Sequence, residues 1–464
     1  MLPLWLMFAL VGAVHATEGS WLPTGADIGG ESADDESGYS VSMSDDGMRV
    51  AVGAHKNDGT ADSAGHVRVY EWSSVINSWS QLGDDIDGEA SGDWSGWSVS
   101  MNGDGKRFAV GARNNGGATG SNSGHVRVFE WSSSAWVQVG SDIDGEASED
   151  WSGWSVSMSG DGSRLAVGAR DNDGAGSNSG HVRIYDWLSD AGAWVQVGVD
   201  IDGEDASDES GTSVCLSADG SRVAIGAPGH YVAGLRVGQV RVYSWDSGSG
   251  LWAQLGGDIH GEAHGDASGA SVSMSADGSR VAIGARGNDS GGSGAGHVRI
   301  YEWLSGIGSW SQLGSDIDGE TFGDASGSAV SMSGDGARVA IGARYNDDAG
   351  GNAGHVRVFE WLAGASSWVQ IGGDIDGEEG GDGSGVSVSM SASGLQVAIG
   401  AIGDDGTWRN AGRVRVYELV GPPLPPMVPS PSDSEPTAPQ PAIVQIEVGG
   451  SVRVKVGGSL VVGN

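Results

Sequence analysis

The chain has 464 residues, with 61 Asp plus Glu against 24 Lys plus Arg and a formal charge of −37 at pH 7. A field of that sign argues against nucleic acid and anionic membrane surfaces as partners, and favours divalent cations, basic proteins or neutral glycans; it also serves solubility. The 84 glycines follow no collagen-like period, so they belong to turns.

From the N-terminus, Leu2 to Val14 is an apolar run too short to cross a bilayer, and Val14-His15-Ala16 offers the small residues a signal peptidase needs. Residues 1–16 therefore read as a signal peptide, although no basic residue precedes the apolar run. No later segment is long and apolar enough for a membrane span. A secreted or cell-surface protein is expected, monomeric and without nucleic-acid partners.

From Trp21 onward one sentence is written seven times. Its opening tryptophans are Trp21, Trp79, Trp136, Trp194, Trp252, Trp310 and Trp368, spaced by 57 or 58 residues. A fixed period of this kind means an array or a closed ring. Each unit carries four strand signals, as in Trp79–Leu82, Gly96–Met101, Arg107–Ala112 and His125–Trp131. Val99 and Met101 alternate with Ser98 and Ser100, giving one large face and one small face. Asn102-Gly103-Asp104-Gly105 is a tight hairpin turn. Helical periodicity is absent. Four antiparallel strands per unit describe a blade that must stack on its neighbours to bury both faces. The fold expected is an all-β, seven-bladed β-propeller over residues 17–420, with an open solenoid as rival. Strand bookkeeping decides between them. The seventh unit lacks a Trp-x-Gln strand after Leu419, and an orphan strand lies near Trp21, so the N-terminal strand should complete the last blade and remove the exposed edge.

Residues 421–441, with nine of the twelve prolines, read as an extended linker. Residues 442–464 alternate again, as a small β appendage or as the first strands of a further domain. The single cysteine, Cys215, excludes an internal disulfide. It reads as standing where Met43, Met101, Met158, Met274, Met332 and Met390 stand in the other units, in a packing role.

Ser210-Gly211-Thr212-Ser213-Val214 followed by Val223-Ala224-Ile225-Gly226-Ala227-Pro228 resembles the FG-GAP repeat of integrin α-subunit propellers. The resemblance extends over all seven units. Serine replaces the Phe of Phe-Gly, and arginine follows Gly-Ala at Arg113, Arg170, Arg286 and Arg344. The resemblance implies a propeller with a role in adhesion. The family's calcium loop lies between these two strands; here that loop is a short Ser-x-Asp-Gly with one carboxylate, so that role does not carry over. Ser159-Gly160-Asp161-Gly162 with Val182-Arg183-Ile184-Tyr185-Asp186-Trp187 is also similar to a WD-repeat blade.

Carboxylates recur before each inner strand in a fixed trio: Asp85, Glu89 and Asp93; Asp142, Glu146 and Asp150; Asp200, Glu204 and Asp208; Asp316, Glu320 and Asp324, with matching trios at Asp27, Asp258 and Asp374. In a propeller these loops share a rim with the Asn/Asp-rich loops after Gly-Ala. Hard cations need several oxygens at one point, which makes calcium the candidate ion. Turn capping, with the periodic Arg49, Arg107, Arg164, Arg222, Arg280 and Arg338 as ion partners, is the plainer reading, and direct partner contact is a third. The histidine before the fourth strand signal (His66, His125, His181, His297, His355) reads as a hydrogen-bonding strut, because Gln239 and Arg413 replace it elsewhere. The fourth unit departs most from the pattern, and His230 and Tyr231 in its long loop are the candidate partner-binding residues. No nucleophile elbow or zinc-protease motif occurs. The function expected is an extracellular adhesion or interaction module that binds a protein or glycan through its acidic rim; the alternative is a secreted glycan-active hydrolase or lectin.

Overall fold

The alternating Ser-Val-Ser-Met segments form the innermost strand of each blade, as at Ser40–Met43, Ser95–Met101 and Ser152–Met158. The computed structural model describes residues 19–117, 119–421, 454–456 and 459–461. In the second blade the inner strand pairs antiparallel with Arg107–Ala112, with Met101 opposite Phe108. That strand pairs with His125–Ser132, which pairs in turn with the outer strand Ala135–Gln138, Trp131 facing Trp136. Seven such four-stranded blades occur among the described residues, at the positions the period predicts. A further two-residue strand in each unit, Ile143–Asp144 for this blade, pairs with the start of the third strand. It is too short to leave a sequence signal.

Closure follows the strand bookkeeping. Ser20–Pro23 is the outer strand of the last blade and pairs with Arg413–Val420, Trp21 opposite Leu419. The inner strand of the first blade packs against those of both the second and the last, so the ring is closed and the solenoid is excluded. The blade tryptophan repeats one bond around the ring. Trp136 Nε1 donates to Leu82 O of the preceding unit at 2.7 Å, and Trp21 Nε1 donates to Ile371 O at 2.9 Å.

Between blades a large face meets a small one. Met158, Leu165 and Val167 pack on Ala109, Val126 and Val128 of the previous blade. The serines lock the register: Ser98 Oγ donates to Gly153 O at 2.8 Å, and Met158 N donates to Ser100 Oγ at 3.0 Å. Arg107 reaches the next blade's hairpin at Gly162 O, 2.9 Å away, and its own third strand at Glu130, 2.8 Å away. The periodic arginines therefore clip blades together and do not neutralise the acidic loops.

One sequence reading is corrected by register. Cys215 lies opposite Ala224 and Leu216 opposite Val223, as Ser100 and Met101 lie opposite Ala109 and Phe108. Leu216 is the methionine equivalent, and Cys215 takes the serine position. The thiol is partly buried against the fifth-blade core, and burial pushes its pKa up to about 11. The short strands Val454–Val456 and Ser459–Val461 pair antiparallel with each other. The expected signal peptide and residues 422–441 of the expected linker lie outside the described residues.

Deleting residues 17–30 should expose the edge of Arg413–Val420 and lower the melting temperature, with aggregation on heating. Trp21→Ala should cost roughly 3 kcal/mol through the emptied core site. Thermal melting and light scattering check both; an unchanged melting temperature for the deletion contradicts closure by this strand.

Candidate functional site on the loop-bearing rim

The acidic loops and the loops after Gly-Ala do meet on one rim. Asn115 Nδ2 donates to Asp93 Oδ2 at 3.1 Å, and Asn172 to Asp150 at 3.1 Å. Asp93, Asp150, Asp208 and Asp324 are all buried. Each also accepts backbone N–H bonds from its own turn, as from Ala90 at 2.9 Å, Ala147 at 2.9 Å, Asp205 at 3.0 Å and Thr321 at 2.9 Å. The third carboxylate of each trio is thus a turn cap.

The other two carboxylates diverge. Asp85, Asp142, Asp200 and Asp316 accept from the glutamine four residues earlier, as Asp142 does from Gln138 at 2.7 Å. Glu89, Glu146, Glu204 and Glu320 reach Arg127, Arg183, Arg241 and Arg357 on the third strand at 3.4–3.7 Å. The three carboxylates of one loop do not converge. Instead the glutamate of one loop meets the first aspartate of the next, with the third-strand histidine between them. The groups are Glu31–His66–Asp85, Glu89–His125–Asp142, Glu146–His181–Asp200, Glu262–His297–Asp316, and Glu320–His355–Asp374 with Asp348. Burial and the neighbouring arginine hold these imidazoles neutral, with pKa values of about 4 for His66 and His181. Sequence reading missed this set because its carboxylates come from two different trios; the signal available was the period of the histidine itself.

His230 is buried, with Nδ1 3.1 Å from both Asp208 oxygens. It takes the place of the asparagine in other blades and is part of the scaffold. Tyr231 is exposed and opens a small hairpin with Tyr231 opposite Arg236.

The ring loses its symmetry at the mouth of the central channel. One residue per blade lines the inner lip: Tyr39, Trp97 and Trp154 on one side, Thr212, Ala270, Ser328 and Val386 on the other. The Arg113 guanidinium lies 3.6 Å from the Trp97 ring centroid, 4.5 Å from Trp154, 4.7 Å from Trp94 and 4.8 Å from Trp151. Arg170 lies 4.5 Å from Trp154. Desolvated cation–π contacts of this kind contribute about 1–2 kcal/mol each. Trp97 and Trp154 stand 5.1 Å apart, and Tyr39 lies 4.5 Å from Trp97. Burial pushes the Tyr39 hydroxyl up to about 12 and Arg113 down to about 10. Glu36 pairs with Lys56 at 2.6 Å, and Glu209 with Arg170 and Arg236 at 2.9 Å.

The sequence profile of the FG-GAP repeat family matches residues 142–185, from the loop before the third blade's inner strand to its third strand. This third unit matches the FG-GAP repeat. The hairpin that carries calcium in integrin-like FG-GAP blades is here a capped turn: Asp161 accepts from the Ser159 and Ser163 hydroxyls, each at 2.7 Å. No curated protein sequence matches the chain. Among solved structures it is similar to a Pseudomonas aeruginosa periplasmic gluconolactonase, at 16% identity and TM-score 0.50, over 74% of this chain and 85% of that one. A Bacteroides uniformis protein described as a 6-phosphogluconolactonase gives 12% identity and TM-score 0.51, over 73% and 85%. Kuenenia stuttgartiensis hydrazine synthase gives 13% identity and TM-score 0.51, over 85% and 98%. These likenesses concern the fold alone.

Asp150→Ala should cost roughly 2–3 kcal/mol, because it strands the buried Asn172 amide and removes the cap on the Ala147 N–H. Asp142→Ala, measured in the presence of a chelator, should stay within about 0.5 kcal/mol of the parent. Denaturant titration of the two variants compares them; equal losses would contradict the division of the trio.

Proposed function

We propose that this FG-GAP propeller is an extracellular, cell-surface or secreted, binding module that takes a protein or glycan partner on its loop-bearing rim, anchored at the aromatic half of the channel mouth. One observation carries the reading. A ring built from seven near-copies departs from its own pattern where Tyr39, Trp97 and Trp154 face four small or aliphatic residues across the channel. Half-buried indole faces beside guanidinium groups suit the apolar faces of sugar rings and the polar groups at their edges. The exposed glutamates outside this lip add a negative perimeter that favours neutral or basic partners.

Turnover of a glycan is the second reading. It is favoured by Asp171, half-buried at the same mouth 3.7 Å from Arg170, with a buried Oδ1 that has no hydrogen-bond partner. Burial raises the pKa of its carboxyl, as general-acid chemistry requires. Against turnover, Glu36 and Glu209 are tied into ion pairs.

Glycan and matrix-protein arrays probed with the purified propeller test both. Reversible retention that falls at least about tenfold in Trp97→Ala and Trp154→Ala, with melting temperatures monitored, is the result expected. Retention unchanged in both variants overturns the anchor. Hydrolysis lost in Asp171→Asn would replace binding by turnover.

A further inference from the structure

We propose that the Glu–His–Asp groups on the rim are divalent transition-metal sites, one in each of five blades, that tie neighbouring acidic loops to the third strand. The argument starts from a gap. In each group the histidine Nδ1 faces a carboxylate oxygen at 3.7–4.0 Å: His66 to Asp85, His125 to Glu89, His181 to Glu146 and Asp200, His297 to Asp316, His355 to Glu320. That is too long for a hydrogen bond. It is slightly longer than the separation of roughly 3.4 Å between two ligands of one tetrahedral zinc ion, so a modest closure would seat an ion between them.

The second observation is independent of the carboxylates. His297 Nδ1 and His355 Nδ1 are buried, directed at the acidic pair and without a hydrogen-bond partner. A buried imidazole nitrogen that finds no partner is costly, and here two carboxylates converge on the same space. The aspartate's other oxygen is already engaged by glutamine, as Gln81 engages Asp85 Oδ1 at 2.6 Å and Gln370 engages Asp374 Oδ1 at 2.6 Å. The glutamate is oriented by arginine, as by Arg357 at 3.4 Å. Such outer partners fix ligand geometry.

The two blades without histidine supply the control. In the fourth, Gln239 Nε2 donates directly to Glu204 at 3.0 Å. In the last, Arg413 places its own charge between Asp27 at 2.9 Å and Glu378 at 3.3 Å. Where a donor or cation is built in, the gap is closed by the chain; where histidine stands, it stays open. One imidazole with two carboxylates selects a borderline ion such as zinc over calcium, which takes oxygen ligands. The sixth blade adds a fourth ligand, Asp348, and should bind most tightly.

The experiment uses the full chain, stripped with chelator, titrated with Zn2+ by calorimetry and checked by elemental analysis. His297→Gln with His355→Gln should lower bound zinc by two ions per chain. These variants copy the residue the fourth blade uses, so folding should be preserved. Gln239→His should add one ion, with Glu204 and Asp258 already in place. Excess Ca2+ should not displace the zinc, and zinc should raise the melting temperature of the parent more than that of the double variant. No zinc uptake, a water-bridged apo group with unchanged melting, or uptake insensitive to all three substitutions, as for ions held loosely by surface carboxylates, would overturn the proposal.

Discussion

The ring depends on the approach of backbone to backbone between blades. At each interface the glycine of Gly-Ala on a second strand lies against the glycine that opens the next inner strand. A Cβ on Gly111 would sit 2.2 Å from Gly153 O, and one on Gly400 would sit 2.0 Å from Gly38 O. The partner glycines adopt left-handed φ, 82° at Gly153 and 88° at Gly38, a region where side chains are disfavoured. Only hydrogen fits. That contact lets the serine face of one inner strand bond to the backbone of the next, and it brings the valine and methionine faces into register on alanine.

Once the inner strands are fixed, the loops they carry are fixed as well. The third carboxylate of each trio is spent on holding those loops, in five units together with an asparagine or histidine partner. What remains free for recognition is set by position along the blade. At the inner lip, nearest the axis, side chains from all seven blades face one channel, so a change in two or three units is enough to make a one-sided pocket. Farther out, each unit can reach only its neighbour, and the chemistry there repeats with the ring.

Fold was legible in sequence wherever the deciding information was local. The alternation in Ser-Val-Ser-Met and the Asn-Gly-Asp-Gly turn each lie within a few residues, and the missing last strand was visible as a missing Trp-x-Gln. Groupings across blades were not legible. Glu89 stands beside Asp85 and Asp93 in sequence, yet its structural companions are His125 and Asp142. The Cys215 assignment failed by one residue, and in a strand one residue exchanges the core face for the other. The tryptophans of Asp93-Trp94-Ser95-Gly96-Trp97 and its copy at 150–154 were plain in the chain. Their convergence on Arg113 required knowing that adjacent units are adjacent at the axis.

Gly111→Ala, compared with Gly364→Ala, tests the dependence of the ring on these contacts most directly. Nothing lies within 4 Å of a Cβ on Gly364, so its variant controls for the general effect of replacing glycine. The predicted result by denaturant titration is a loss of about 1–3 kcal/mol for Gly111→Ala and no loss for Gly364→Ala. Equal stability of the two variants would contradict the account.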